Sequence, residues 1–107
     1  MKLLTKAVEA ALLKTPLYST DGKNEAPVLV KFFYPYGAGS WYVLEAEKQA
    51  DGDWYFFGLV DLHEAELGYF TLSELKSVMK FGRPAIERDM YFDNQIVDKK
   101  AKAVRAR

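Results

Sequence analysis

Apolar residues recur along this chain with two periods, one helical and one of two residues, and the expected elements follow from where each holds. Near the start, Leu4, Val8, Ala11 and Leu12 form one stripe, with Lys6, Glu9 and Lys14 away from it. That spacing predicts a short amphipathic helix within residues 2–14. Thr5 is a candidate N-cap, which leaves residues 2–4 extended, and Pro16 ends the helix. Leu17-Tyr18 is expected to dip into the core before a polar loop centred on Asp21-Gly22. Period two then takes over. Val28, Val30, Phe32 and Tyr34 share one face of a first strand, and Trp41, Val43, Glu45 and Glu47 alternate against Tyr42, Leu44 and Ala46 along a second. Asp51-Gly52 predicts a type I′ hairpin turn into a third strand, Trp54–Val60. That strand is apolar on both faces and so needs cover on both sides.

The most informative stretch runs from Phe56 to Leu75. It opens as an apolar strand, crosses an acidic turn and returns through Gly68-Tyr69-Phe70, where Glu66–Phe70 reads as a short fourth strand. Thr71 and Glu74 then stand at capping-box spacing ahead of Leu75 and Val78, predicting a second helix over 72–80 that Gly82 and Pro84 stop. Ile86–Phe92 reads either as one helical turn begun at Pro84 or as an edge strand. The expected fold class is α+β: an antiparallel three- to four-stranded meander with two helices packed on one face. Residues 1–95 form the single domain and 96–107 a basic, disordered tail.

Composition removes several classes of chemistry. With no cysteine, the chain has no disulfide, no thiolate metal site and no cysteine nucleophile. Lys6 and Glu9 interrupt the N-terminal apolar run, so it does not read as a signal peptide, and no stretch approaches the ~20 apolar residues of a membrane span. A cytoplasmic protein is expected. The zero net charge conceals an asymmetry. All fifteen acids and ten bases lie at or before Asp98, and the last nine residues add Lys99, Lys100, Lys102, Arg105 and Arg107 with no acid. Between Glu45 and Glu66, seven acids face one base, Lys48.

Each candidate constellation has a plainer reading. His63-Glu64-Ala65-Glu66-Leu67 begins like a zinc-protease helix, but the second histidine is absent and His63 is the only one in the chain. Glu45, Glu47, Asp61, Glu64 and Glu66 carry oxygen ligands for a hard cation or an acid/base pair, against the simpler reading of a solvated acidic rim. Gly37-Ala38-Gly39-Ser40 lacks the Lys-Ser/Thr of a phosphate loop. Arg88, between Ile86 and Met90, is expected in a structural ion pair near the core, with an anion clamp as the alternative. No cofactor and no metal are expected. Tyr34, Tyr36, Trp41, Tyr42, Trp54 and Tyr55 crowd the first hairpins, where core plus an exposed contact patch is favoured over a base-stacking surface.

Seven ordered motifs carry a resemblance: Met1-Lys2-Leu3-Leu4-Thr5, Pro16-Leu17-Tyr18-Ser19, Val30-Lys31-Phe32-Phe33, Trp41-Tyr42, Phe56-Phe57-Gly58-Leu59-Val60, Glu66-Leu67-Gly68-Tyr69-Phe70 and Ile86-Glu87-Arg88-Asp89-Met90-Tyr91-Phe92. Over about residues 1–93 the chain resembles a bacterial family of small proteins with a domain of unknown function, found on plasmids and other mobile elements. The resemblance implies that setting and assigns no catalytic residue. The function expected is a non-enzymatic protein-interaction module, an accessory or anti-defence factor that binds a basic protein partner through Trp41, Glu45, Glu47, Asp61, His63, Glu64 and Glu66. The alternatives are nucleic-acid binding through Lys99, Lys100, Lys102, Arg105 and Arg107, and a small carboxylate-based hydrolase.

Overall fold

Thr5 starts the first helix as its position requires: its hydroxyl accepts the Val8 N–H at 3.2 Å, opening α1 (Lys6–Leu13). The computed structural model describes residues 2–107. After α1 come β1 (Glu25–Pro27), β2 (Val30–Phe33), β3 (Ser40–Lys48), β4 (Trp54–Asp61), β5 (Ala65–Thr71), α2 (Leu72–Lys76), β6 (Met79–Lys80), β7 (Arg83–Pro84), β8 (Glu87–Arg88), β9 (Gln95–Asp98) and β10 (Ala103–Ala106). A five-stranded antiparallel sheet in the order β5-β4-β3-β2-β8 is the frame. A three-stranded sheet, β1-β9-β10, and the small β6-β7 hairpin complete the strands.

This overturns the α+β reading of a three- to four-stranded meander with two helices on one face. The protein is mostly β, with 42% strand, 12% helix, ten strands in three sheets and one helix of seven residues or more among the described residues. Two local causes account for the difference. The capping box does start α2, where the Thr71 hydroxyl accepts the Glu74 N–H at 3.1 Å. Asp53 reinforces it, accepting the Ser73 N–H at 3.0 Å and hydroxyl at 2.7 Å. Led by the Ser73 hydrogen bond, these contacts hold the Asp53 carboxyl below its ordinary value. The helix nevertheless ends at Lys76, because Phe81 and Gly82 both take positive φ (56° and 72°) and turn the chain into the β6–β7 hairpin. The second cause is the C-terminal segment. Expected as a disordered basic tail, it forms β9 and β10, with β9 also pairing to β1.

The main sheet therefore has two covered faces, as the two-sided apolar pattern of β4 requires. On one, Val30, Phe32, Val43, Trp54, Phe56 and Phe70 pack under Leu3, Leu4, Leu12, Leu72 and Leu75. On the other, Leu44 and Leu59 pack with Ala26, Val28 and Val97, flanked by Phe57, Leu67 and Val104. Residues 25–33 run from one sheet into the other, so Val28 serves the second core while Val30 and Phe32 serve the first. Within Ile86–Phe92 no helical turn forms, and the edge strand is two residues long: β8 pairs Arg88 with Phe32 and Glu87 with Phe33.

The β3–β4 turn forms where Asp51-Gly52 placed it, with a different geometry. Only Gly52 has positive φ, at 90°, and its N–H donates to the Gln49 carbonyl at 3.0 Å. No atom lies within 4 Å of a Cβ added there. Gly52→Val should thus cost about 1 kcal/mol or more through backbone conformation alone; an unchanged denaturant midpoint would contradict that geometry.

Candidate functional site

Strict alternation puts Glu45 and Glu47 on the face of Trp41 and Val43. The structure does not. The β3–β4 register shifts between Val43 and Glu45, pairing Val43 with Gly58 and Glu45 with Phe57. This β-bulge leaves Leu44 without an opposite residue and moves everything after it to the other face. Ala46 joins the first core with Val43, while Glu45 lies beside Phe57 and Glu47 beside Tyr55 on the second face.

Glu45 is buried, at 1% exposure, and its carboxylate organises the preceding loop. One oxygen accepts the Tyr18 N–H at 2.7 Å, and the other accepts the Thr20 N–H at 2.9 Å and the Thr20 hydroxyl. Lys99, from the turn between β9 and β10, donates to the Thr20 carbonyl at 2.7 Å and hydroxyl at 2.9 Å. Its ammonium also lies 5.8 Å from the centre of the Phe57 ring. These hydrogen bonds join the second core, the loop and the C-terminal hairpin in one network that holds Tyr18 at φ 72°. That conformation is costly for a bulky residue. Tyr18, expected to dip into the core, is instead 63% exposed.

Beside Tyr18 lies a row of rings. Glu45 pairs with Phe57 and Phe57 with Tyr69 across three strands. Tyr69 stacks on Tyr55 with centres 5.3 Å apart and tilts against Phe57 at 5.0 Å. Desolvation by these neighbours raises the Tyr69 phenol above its ordinary value, and Tyr18, Glu45, Asp21 and Tyr55 add to the rise. Tyr55 and Tyr69 thus stack at the β5 edge of the main sheet, with exposed Tyr18 near enough to act on the Tyr69 phenol and Asp21 and Glu47 also exposed.

The residues expected to share one partner surface are separated. Trp41 is half-buried against the first core, in register with Val60 and, beyond it, Glu66. Asp61, His63 and Glu64 are exposed around the β4–β5 turn. Asp61 stands six positions along β4 from Tyr55, the partner of Glu47, or about 20 Å of strand. Among the described residues no three His, Cys, Asp or Glu side chains stand as a group able to hold a metal ion. Of the C-terminal bases, Lys102 pairs with Glu66 at 2.9 Å and Arg105 with Glu25, both at the exposed surface. Arg88 donates to the carbonyls of Lys2 and Leu3 at 2.9 and 3.2 Å, tying the extended N-terminal residues to the far edge of the sheet. Next to those residues lies a cleft of about 460 Å³, with Leu3, Leu4, Trp54, Leu72, Leu75 and Ile86 on its apolar side and Lys2, Glu9 and Lys76 on its charged side.

Sequence reasoning missed Tyr18, Thr20, Tyr69 and the role of Lys99. Tyr55 was visible among the aromatics. Nothing local marks the others, because a bulge 25 residues away from Thr20 brings them together. Among the described residues no helix is long and apolar enough to cross a membrane. No curated protein and no solved structure matches the chain. A family described as "protein of unknown function (DUF2958)" matches residues 3–102, from the N-terminal segment through β9 into the turn that carries Lys99, and the chain belongs to that family.

Proposed function

We propose that this protein is a non-enzymatic interaction module that engages a basic protein partner through the platform of Tyr18, Tyr55 and Tyr69, rimmed by Asp21 and Glu47. In the mobile-element setting the family resemblance implies, it would act as an accessory or anti-defence factor. The observation that carries the reading is Tyr18. A buried carboxylate, two main-chain N–H groups, a threonine hydroxyl and a lysine hold a large aromatic residue at φ 72° with most of its surface in solvent. Exposed tyrosines held rigidly are strong interface anchors, since they bury large area at small entropic cost. Acids at the margin select a basic partner and speed its encounter.

The nucleic-acid reading of the C-terminal bases is weaker, because Lys99, Lys102 and Arg105 already have partners in the fold. Removing residues 99–107 would strip Lys99 and Val104 from the structure, so that deletion tests folding rather than binding. The hydrolase reading is weaker too: about 20 Å of strand divides Glu47 from Asp61, and the Glu45 carboxylate is taken up by the Tyr18 and Thr20 donors.

Affinity capture from host-cell lysate, followed by titration of the captured protein, tests the platform. Tyr69→Ala should weaken binding by about 2 kcal/mol, roughly 30-fold, with the thermal midpoint little changed. Charge reversal at Glu64 and Glu66 should matter less, since they stand about 17 and 10 Å along the chain from Tyr69, toward the β4–β5 turn. If that reversal abolishes capture and Tyr69→Ala does not, the surface is the acidic turn instead.

A further inference from the structure

From Leu75 to Ile86 the chain carries Lys76, Lys80 and Arg83 and no acid. The β6–β7 hairpin gathers this basic run around a two-residue turn, Phe81-Gly82, with Lys80 paired to Arg83 across it. Both turn residues have positive φ, a geometry that strongly favours Asn-Gly. At the first position this protein has phenylalanine, 79% exposed. The ring is not isolated on the surface. It meets Tyr36 edge to face at 5.7 Å, Tyr36 meets Tyr34 at 5.7 Å, and the Lys80 ammonium sits 5.1 Å from the Phe81 centre. Tyr36 is itself 56% exposed. A costly backbone conformation thus presents an aromatic face to water, steadied by a second ring and interleaved with bases.

We infer that this hairpin is a binding site for single-stranded nucleic acid, with Phe81 and Tyr36 stacking on bases and Lys76, Lys80 and Arg83 meeting phosphates. Three features favour this ligand over a protein. Lys80 and Arg83 carry no acid between them or beside them in the chain, Lys76 standing apart on α2 near Asp53, the exposed rings offer π-faces that any base can use, and the site is an exposed turn rather than a groove. The two-residue turn sets the ring at the end of a short two-stranded ribbon, which a flexible strand can wrap. The site uses different residues from the tyrosine platform, and each stands or falls without the other.

The test is fluorescence anisotropy with labelled single strands of about twelve nucleotides, oligo(dT) and oligo(U), against a duplex of the same length. Wild type should bind the single strands in preference to the duplex. The affinity should fall with salt at a log–log slope of about −2, as expected for three phosphate contacts on a single strand. Phe81→Asn installs the favoured Asn-Gly turn, so it should melt no lower than wild type while losing at least about fivefold in affinity, the low end for one stacked base. Phe81→Trp should retain binding, whereas Phe81→Leu, apolar but without a π-face, should not. Lys80→Glu with Arg83→Glu should abolish it; Lys23→Glu, an exposed charge change on another loop, should not. Equal binding by Phe81→Asn or Phe81→Leu overturns the proposal, as does absence of wild-type binding. A lower melting temperature for Phe81→Asn also overturns it, because the ring would then be kept for packing.

Discussion

Gly58→Ala should destabilise this protein by about 3 kcal/mol or more, while Gly68→Ala, its cross-strand partner, should leave stability nearly unchanged. The two glycines face each other in the β4–β5 ladder, yet their surroundings differ completely. A Cβ on Gly58 would stand 1.9 Å from the Tyr42 carbonyl oxygen, 2.9 Å from its carbon and 3.1 Å from the Val43 Cα. All three are main-chain atoms at the start of the β3 bulge, so no rotamer can relieve the overlap. At Gly68 nothing lies within 4 Å of the same atom. The glycine at 58 is therefore required by close approach rather than by conformation. Its loss should straighten or separate β3 where the register shifts, and that shift is what sends Glu45 to the second face. Urea unfolding of the pair decides the matter. Equal midpoints would mean that β3 does not approach Gly58 in this way.

Removing the carboxylate itself should be nearly as damaging. Glu45→Ala leaves the Tyr18 and Thr20 N–H groups and the Thr20 hydroxyl without their acceptor in a buried setting. A buried donor stripped of its partner costs about 1–3 kcal/mol, so a loss of about 3 kcal/mol is expected for the group. Glu45→Gln should recover part of this, since one oxygen remains to accept while the amide opposes a second donor. Hydrogen exchange gives the local readout: amide protection at Tyr18 and Thr20 should fall in Glu45→Ala well before the β3–β4 ladder opens. Tyr18 should then leave its left-handed conformation and the platform lose one ring. If Glu45→Ala keeps both its midpoint and the protection of these amides, the carboxylate does not organise the loop.

Both expectations turn on one bulge, and the bulge marks the limit of what the sequence discloses. Alternation along Trp41–Glu47 assigns faces only if the period of two is unbroken. One inserted residue reverses every assignment after it, and nothing in Val43-Leu44-Glu45 announces the insertion. The acidic surface expected on the Trp41 face was lost for this reason. The basic segment is similar. Ile96, Val97 and Val104 are too few to predict an ordered hairpin from the residues alone, and it holds structure because Leu44 and Leu59 offer Val97 and Val104 a buried face.

The sequence by itself determined the features whose interactions close within a few residues. Thr5 caps α1 through Val8, Thr71 caps α2 through Glu74, Gly52 turns β3 into β4, and the apolar residues on both faces of β4 demand two layers of cover. Tertiary structure decided which layers those are, where α2 stops, which way Glu45 points and what Tyr18 is for. The physical reason is the range of the contacts. Capping and turn energies depend on neighbours three or four residues away, whereas the hydrogen bonds on Glu45 and Lys99 span 25 to 79 residues and exist only once both faces of the sheet are covered.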